Sequence, residues 1–471
     1  CYGWEESEFP MQWVNEFNTY LDGITVMSRQ VKDILINNGV KIPIKISGLG
    51  IDHVLNIEPC TEFKIDARKF RFLHISSCFP RKGIDILFKA FNELFTNEDD
   101  VSLIIKTFNN PHNNIINILS ELRHQNPSFP DVILISDELN ENQIKSLYKQ
   151  SNALVAPSRG EGFGLPIGEA MLLGIPVITT KWGGHLDFCN NDNSWLVDYK
   201  FVPAKSHFDL DNSYWAEPSF NDLVSQMRKV YQADTSQLIK KTNLAKAKIS
   251  QFTWDITTSK NLSFVQSLNQ ETNSINSKIG IVTTWDSRCG IASYSKNLLE
   301  YFPERVFIFS PLNEEKSLKE DDYVIPSWWR DDKQKTFDVL KSEILSKGIS
   351  TLIIQFNYGF FDFPQFTNFL EVLGTKNINI LILFHSTVDP SSQESKSLLN
   401  LSHVLEKCSR LIVHTIDDLN RLKKINLVDN VCLFPHPIID FDVKSDYSFF
   451  RNKLSIIFNR KIKSVATFGF C

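Results

Sequence analysis

Two carboxylates, Glu161 and Glu169, stand eight positions apart in RGEGFGLPIGEA (159–170), a stretch with glycines at 162, 164 and 168. A helix begins at Pro166 and Ile167, where proline is tolerated because its missing amide proton has no helical partner. The start of that helix exposes unbonded N–H groups and a partial positive charge, which suits a phosphate. Gly162 and Gly164 let the backbone approach a sugar or phosphate with no Cβ in the way. Glu169, in the first helical turn, can accept two hydrogen bonds from a vicinal diol such as a ribose. The plainer alternative is a carboxylate that only complements the helix dipole. A cation completes the set: in CFPRKGIDIL (78–87), Lys82 lies next to Gly83 and a helix start. Its ammonium can neutralise a diphosphate; the alternative is a solvated basic turn.

These residues need elements to carry them. From Phe72 the chain alternates β-rich runs with helical patterns: strands at 72–77, 101–105, 132–135, 153–156 and 175–179. Between them, Ile84, Leu87, Phe88, Phe91, Leu94 and Phe95 recur at helical spacing. A second helix surrounds Ile144, Leu147 and Tyr148, and a short one covers 167–173. Such alternation predicts a parallel sheet wrapped by helices, with ligands at the carboxyl ends of the strands. The Lys82 loop follows strand 72–77 and the glutamate loop follows strand 153–156. A polar stretch at 267–277 reads as a linker. A second α/β run follows, with strands at 278–284, 350–356, 378–384 and 410–415.

An internal repeat sets the expected architecture. DGITVMSRQVKDILINNGVKIPIKISGLGID (22–52) is echoed by SRLIVHTIDDLNRLKKINLVDNVCLFPHPIID (409–440), with Val26 matching Val413 and Asp52 matching Asp440. A period of about 390 residues is the size of a whole two-domain enzyme. The expectation is a window cut from a tandem protein: the tail of one copy's first domain (1–57), its second domain (58–265), a linker (266–277), the next copy's first domain (278–447), and the start of a truncated second domain (448–471). Cys1 in place of Met, with no leader pattern, reads as a missing true start.

Bulk properties exclude some classes. The 471 residues carry a formal charge of −5 and are 42% hydrophobic, with a pI near 6.1, so there is no footprint for nucleic acid. No apolar run reaches the ~18 residues of a membrane span. Eight scattered cysteines, with no CxxC, favour reduced thiols and a cytoplasmic protein over disulfides or zinc. DLD (209–211) sits in a polar insertion and reads as a solvated loop, so no metal is assigned. No GxxxxGK[ST], HExxH or GxGxxG occurs.

EGFGLPIGE resembles the E-x7-E signature of family-4 retaining glycosyltransferases, whose GT-B fold pairs two Rossmann-like domains. PSRGEGFGLP, WAEPS (215–219) and the strand–helix order fit the same family, and the resemblance covers nearly the whole chain. It implies a donor-binding domain at 58–265, followed by an acceptor-side domain at 278–447. By position, Glu161 would hold the donor sugar's hydroxyls near the reacting carbon. Phe163, Gly164 and Leu165 would offer backbone amides to sugar and diphosphate, and Glu169 would bind the ribose. Lys82, with Arg81 and Gly83 beside it, would meet the diphosphate. Many relatives carry an arginine where Ser77 stands, and Arg81 is the substitute. On the acceptor side, Gly290 lies in the turn TTWDSRCGIASYS (283–295). His385, after strand 378–384, takes the place of a histidine beside the reacting sugar; a structural histidine is the alternative. His414 and His436 read as turn-stabilising.

The implied activity is transfer of a sugar from a nucleoside-diphosphate sugar to a glycan or lipid-linked acceptor with retention, in surface polysaccharide synthesis. It needs no cofactor or metal, with Lys82 and helix termini supplying positive charge. Peripheral contact with the inner face of a membrane goes with a lipid-linked acceptor. Because each copy is incomplete, residues 1–471 alone are expected to bind sugar nucleotide weakly and not to transfer. The competing readings are a nucleotide-sugar epimerase on the same fold and a non-catalytic sugar-nucleotide-binding protein.

Overall fold

A computed structural model describes residues 2–268 except 207 and 209, and residues 278–435 except 288, 301, 303, 313–320, 331, 333–334 and 392–393. Asp209 of the DLD triplet, residues 269–277 of the linker, His436, Asp440 and the segment 448–471 lie outside the described residues. The chain divides into two compact units, 1–273 and 274–471.

Unit one opens with helix α1 (Met11–Tyr20), strand β1 (Ile24–Val26), helix α2 (Arg29–Asn37) and strand β2 (Ile44–Ile46). Its main sheet follows: β3 (Phe70–Ile75), β4 (Val101–Lys106), β5 (Asp131–Ile135), β6 (Ala153–Ala156), β7 (Val177–Thr180) and β8 (Trp195–Val197). The interleaved helices are α3 (Ile84–Leu94), α4 (Ile115–Gln125), α5 (Glu141–Lys149) and α6 (Leu165–Leu172). An antiparallel hairpin of β9 (Tyr199–Pro203) and β10 (Tyr214–Pro218) leads to α7 (Phe220–Gln232), α8 (Thr235–Ile249) and α9 (Trp254–Leu268).

The six-stranded sheet is parallel, in the order β5-β4-β3-β6-β7-β8. Side chains alternate across its two faces, as the pleat requires. Phe72, Leu103, Ile105 and Val155 join one apolar cluster with Leu87, Phe88 and Phe91 of α3. Their neighbours Leu73, Ile104 and Leu154 join the other, with Ile167, Ala170 and Met171 of α6. A sheet buried on both faces explains the near-continuous apolar strands. The order reverses between β3 and β6, and that switch point is where an open α/β sheet leaves a crevice at its carboxyl edge.

Residues 2–57 pack within unit one. Ser28, the N-cap of α2, donates through Oγ to the Gly162 carbonyl at 2.6 Å. The Ile51 N–H donates to Phe252 O at 2.9 Å, and the Trp254 N–H to Asp52 Oδ1 at 2.8 Å.

Unit two carries a parallel seven-stranded sheet. Its strands are β11 (Lys278–Val282), β12 (Phe307–Pro311), β13 (Val324–Trp328), β14 (Ile349–Phe356), β15 (Asn379–Phe384), β16 (Arg410–Val413) and β17 (Val431–Leu433). They lie in the order β13-β12-β11-β14-β15-β16-β17, again with a switch, between β11 and β14. The expected α/β class with two parallel, Rossmann-like sheets is what the chain adopts. The repeated segments fold alike: β1 pairs with β2 and β16 with β17 in parallel, Val26 opposite Ile46 and Val413 opposite Leu433. The helix between each pair is capped by a hydroxyl, Ser28 or Thr415.

Sequence patterning missed β8, the β9–β10 hairpin, β12 and β13, all short. It also set the strand after β6 two residues early, because Pro176 has no N–H to give a ladder. The short helix begins at Leu165, not Ile167: Gly164, at φ 87°, caps it in the left-handed region. The six described cysteines outside the terminal segments form no disulfide.

Candidate functional site

The loop after β3 and the loop after β6 converge at the switch point. Lys82 ends a short 3-10 turn (Pro80–Lys82), and Gly83 follows at φ 70° as the N-cap of α3. A Cβ on Gly83 would run into the Pro157 carbonyl oxygen, so glycine is required both for conformation and for space. This close approach sets Lys82 against Glu161: Nζ to Oε2 is 2.6 Å, with side chains 14% and 12% exposed. Ser158 Oγ donates to the same carboxylate oxygen at 3.3 Å. Burial alone would raise the Glu161 pKa, but the charges of Lys82 and Arg81 and the Lys82 hydrogen bond outweigh it. The carboxyl is held down to about 2.

The structure therefore joins two groups that the sequence had placed on different parts of a ligand. Lys82 is not a solvated basic residue, and Glu161 is its partner. An ammonium has three donors, so the contact with Glu161 leaves others for a ligand.

Arg81 is tethered: Nη1 donates to the Gly160 carbonyl at 3.2 Å and Nη2 to Glu5 Oε1 at 3.1 Å. Glu5 comes from the opening segment, a partner with no sequence signal. Arg81 and Lys82 line a cavity of about 640 Å³, with Ser76, Lys106, Ile144 and Pro166 also in its wall. Lys106, at the carboxyl end of β4, is a third cation there that motif reading passed over.

Glu169 sits on α6, one turn beyond Pro166. Its Oε2 accepts from Tyr148 OH at 2.7 Å, and its Oε1 lies 3.7 Å from His53 Nε2. Burial raises its pKa, with Tyr148 and His53 acting against the rise. Tyr148 is wholly buried; as an apolar position of α5 it was legible, as a hydrogen-bond donor it was not.

The glycines divide. At Gly162 a Cβ would crowd Trp4 O at 3.0 Å and Met27 Sδ at 3.3 Å, so the opening segment packs where that side chain would be. Gly164 supplies the left-handed cap that starts α6. Phe163 is buried and packs edge-on to Phe188 with ring centres 5.3 Å apart; only its backbone faces the loop. Leu165 is partly exposed at the helix start. N–H groups of a first helical turn have no intrahelical acceptor.

Two buried histidines neighbour the pair. His74 donates from Nδ1 to the Val155 carbonyl at 2.8 Å, which leaves Nε2 to accept from Ser76 Oγ at 2.7 Å. Burial lowers its pKa to about 4. His185 is also lowered by burial, with Nε2 at 2.7 Å from the Thr180 carbonyl.

In unit two, Gly290 opens a helix (α10, Gly290–Leu299) after β11. His385 follows β15, with Nε2 2.6 Å from Gln355 Oε1 and its ring edge-on to Tyr294 at 5.0 Å. His414 places Nδ1 2.8 Å from the Phe434 carbonyl, in keeping with a turn role. Of the DLD triplet, Leu210 and Asp211 lie in the described residues, and among those no cluster of three metal-ligating side chains occurs.

Residues 61–204 match the family model described as glycosyl transferases group 1. The serotype-specific mannosyltransferase WbdA of Escherichia coli is 33% identical over 107 residues, 23% of this chain and 13% of that protein. The MMP alpha-(1->4)-mannosyltransferase of Mycolicibacterium hassiacum is 29% identical over 162 residues, 34% of this chain and 37% of that one. A solved glycosyltransferase from Rickettsia africae is similar with a TM-score of 0.45 at 19% identity, over 56% of this chain and 69% of that chain. The chain spans about an eighth of the length of the WbdA proteins. The matched segment, 61–204, carries Lys82, Glu161 and Glu169.

Proposed function

We propose that unit one binds a nucleoside-diphosphate sugar and that the protein moves its sugar to a glycan or lipid-linked acceptor with retention. The observation that carries this reading is the Lys82–Glu161 pair, 2.6 Å apart at the switch point, beside a cavity whose wall holds Lys82, Arg81 and Lys106 against one carboxylate, Glu138. The diphosphate occupies the cavity against Lys82, Arg81 and the first turn of α6. Lys82 offsets the negative charge that grows on the diphosphate as the bond between its oxygen and the sugar breaks. The new bond forms to an acceptor oxygen on the same face of the sugar, and the acceptor hydroxyl's proton passes to the departing diphosphate oxygen, so that nucleoside diphosphate leaves. Glu161, ionised at neutral pH, accepts from sugar hydroxyls beside the reacting carbon, and Glu169 accepts from the ribose.

The cations in the cavity wall support binding without a divalent ion. The matching folds of 24–46 and 411–433 support tandem copies, with His385 and Gly290 on the acceptor side of the second. The mannosyltransferase and capsule-synthesis relatives point to surface polysaccharide synthesis, in the cytoplasm at the inner membrane face.

Titration calorimetry with a panel of nucleoside diphosphates and sugar nucleotides, with and without EDTA, tests the binding reading. Micromolar binding that survives EDTA supports it, and strict dependence on Mg²⁺ or Mn²⁺ overturns its metal-free part. Acceptor-dependent release of nucleoside diphosphate separates transfer from epimerisation.

A further inference from the structure

Lys82 and Glu161 come from separate loops, and one buried side chain binds those loops together. Arg159 is 6% exposed. Its Nε and Nη2 donate to Glu217 Oε2 and Oε1 at 2.6 and 2.8 Å. Nη1 and Nη2 donate to Asp85 Oδ1 and Oδ2 at 2.8 and 2.9 Å, and Nη1 donates also to the Pro80 carbonyl at 2.6 Å. A guanidinium has five N–H donors, and these contacts use all of them. The Trp215 ring lies 5.3 Å from Cζ. The main chain repeats the link: Arg159 N–H donates to Arg81 O at 2.6 Å, and its carbonyl accepts from Ala216 N–H at 3.0 Å.

Two facts separate this residue from the ligand. The cavity wall includes Arg81 and Lys82 but not Arg159, and no donor remains to reach a phosphate. Its charge is already matched by two carboxylates. What it does contact is the Lys82 turn at positions 80, 81 and 85, from a point two residues before Glu161.

We propose that Arg159 is a positioning residue of this site: its double fork to Asp85 and Glu217 holds the Lys82 turn against the Glu161 loop. The fork also ties both loops to the β9–β10 hairpin, a task for that element that the sequence did not suggest. Lysine cannot replace it, because three donors on a point charge cannot serve two carboxylates side-on and a carbonyl. The inference rests on the donor-site reading for its consequence in binding, but not for its geometry.

The test uses Arg159→Lys in the whole chain, with folding checked by a cooperative melt. Carboxyl NMR then reads the Glu161 titration. It is expected near pH 2 in the parent and displaced toward ordinary glutamate values in the variant, as Lys82 moves away. Calorimetry with inorganic pyrophosphate is expected to show roughly tenfold or greater weakening, while uridine and guanosine, which lack the diphosphate, bind as before. Asp85→Asn, which keeps the arginine, is expected to shift both readings the same way and serves if the lysine variant does not fold. An unchanged Glu161 titration in a folded variant overturns the proposal. If pyrophosphate fails to bind even the parent, the donor-site reading falls, and the Glu161 titration still decides the role of Arg159.

Discussion

Lys82 Nζ and Glu161 Oε2 meet at 2.6 Å across 79 residues of chain, both side chains largely withdrawn from water. Removing one partner of such a pair strands the other's charge, whereas removing both does not. Lys82→Ala is expected to lower stability by roughly 3 kcal/mol, near the lower end for a broken buried pair because Ser158 still donates to the carboxylate. Lys82→Ala with Glu161→Gln should recover part of that loss. Urea denaturation of both variants checks it; a double variant as unstable as the sum of the singles would show no coupling.

On the proposed reading, Glu161→Gln is expected to reduce transfer far more than nucleoside-diphosphate affinity, because the proposal assigns this carboxylate to the sugar. Glu169→Gln should instead weaken nucleotide affinity by roughly 1–3 kcal/mol, the loss of a charged acceptor for a buried hydroxyl pair. Tyr148→Phe, which deletes the 2.7 Å bond to Glu169, should weaken it in the same direction by about 1 kcal/mol. Equal effects of the two glutamate variants on affinity would contradict this division of roles.

Acid should act in two windows. His74 is neutral in the fold and its pKa is lowered to about 4 from 6.5. As pH falls from 6.5 toward 4 the unfolded chain takes up a proton that the fold refuses, so stability is lost there, by roughly 3 kcal/mol. Glu161 is the opposite kind of group: its carboxyl is held near 2 against an ordinary 4.5. Its contribution is full above 4.5 and fades as pH drops from 4.5 to 2. Melting temperature against pH should fall through both ranges, and His74→Gln should flatten the upper one. An unaltered upper slope in that variant would assign it to other groups.

Two glycines in left-handed conformation make an internal control. At Gly174, φ 78°, a Cβ meets nothing within 4 Å, whereas at Gly83, φ 70°, it collides with the Pro157 carbonyl. Gly174→Ala should cost about 1 kcal/mol, the strain alone. Gly83→Ala should cost at least twice that by chemical denaturation, and should disturb the Lys82 turn as well. Equal costs would show that the β6 loop can yield.

The sequence by itself determined which residues lie at the carboxyl edge of unit one. Apolar periodicity marked strands 101–106 and 153–156 and the α3 helix within a residue or two. Gly83 marked the helix start beside Lys82 after β3, and strand 153–156 placed the glutamate loop after β6. These signals are local: they report a period of two or 3.6, or a backbone angle that a Cβ forbids. Which side chains then touch was decided only by the tertiary structure. Lys82 and Glu161 face each other as a buried pair, a contact that neither motif disclosed. Arg159 finds Asp85 and Glu217 at sequence separations of 74 and 58, and Glu5 reaches Arg81 over 76. The short strands of the β9–β10 hairpin carried too little pattern to be seen, yet they supply Glu217. Charged partners so far apart leave no periodic trace, because nothing but burial in a common, low-dielectric place requires them to match.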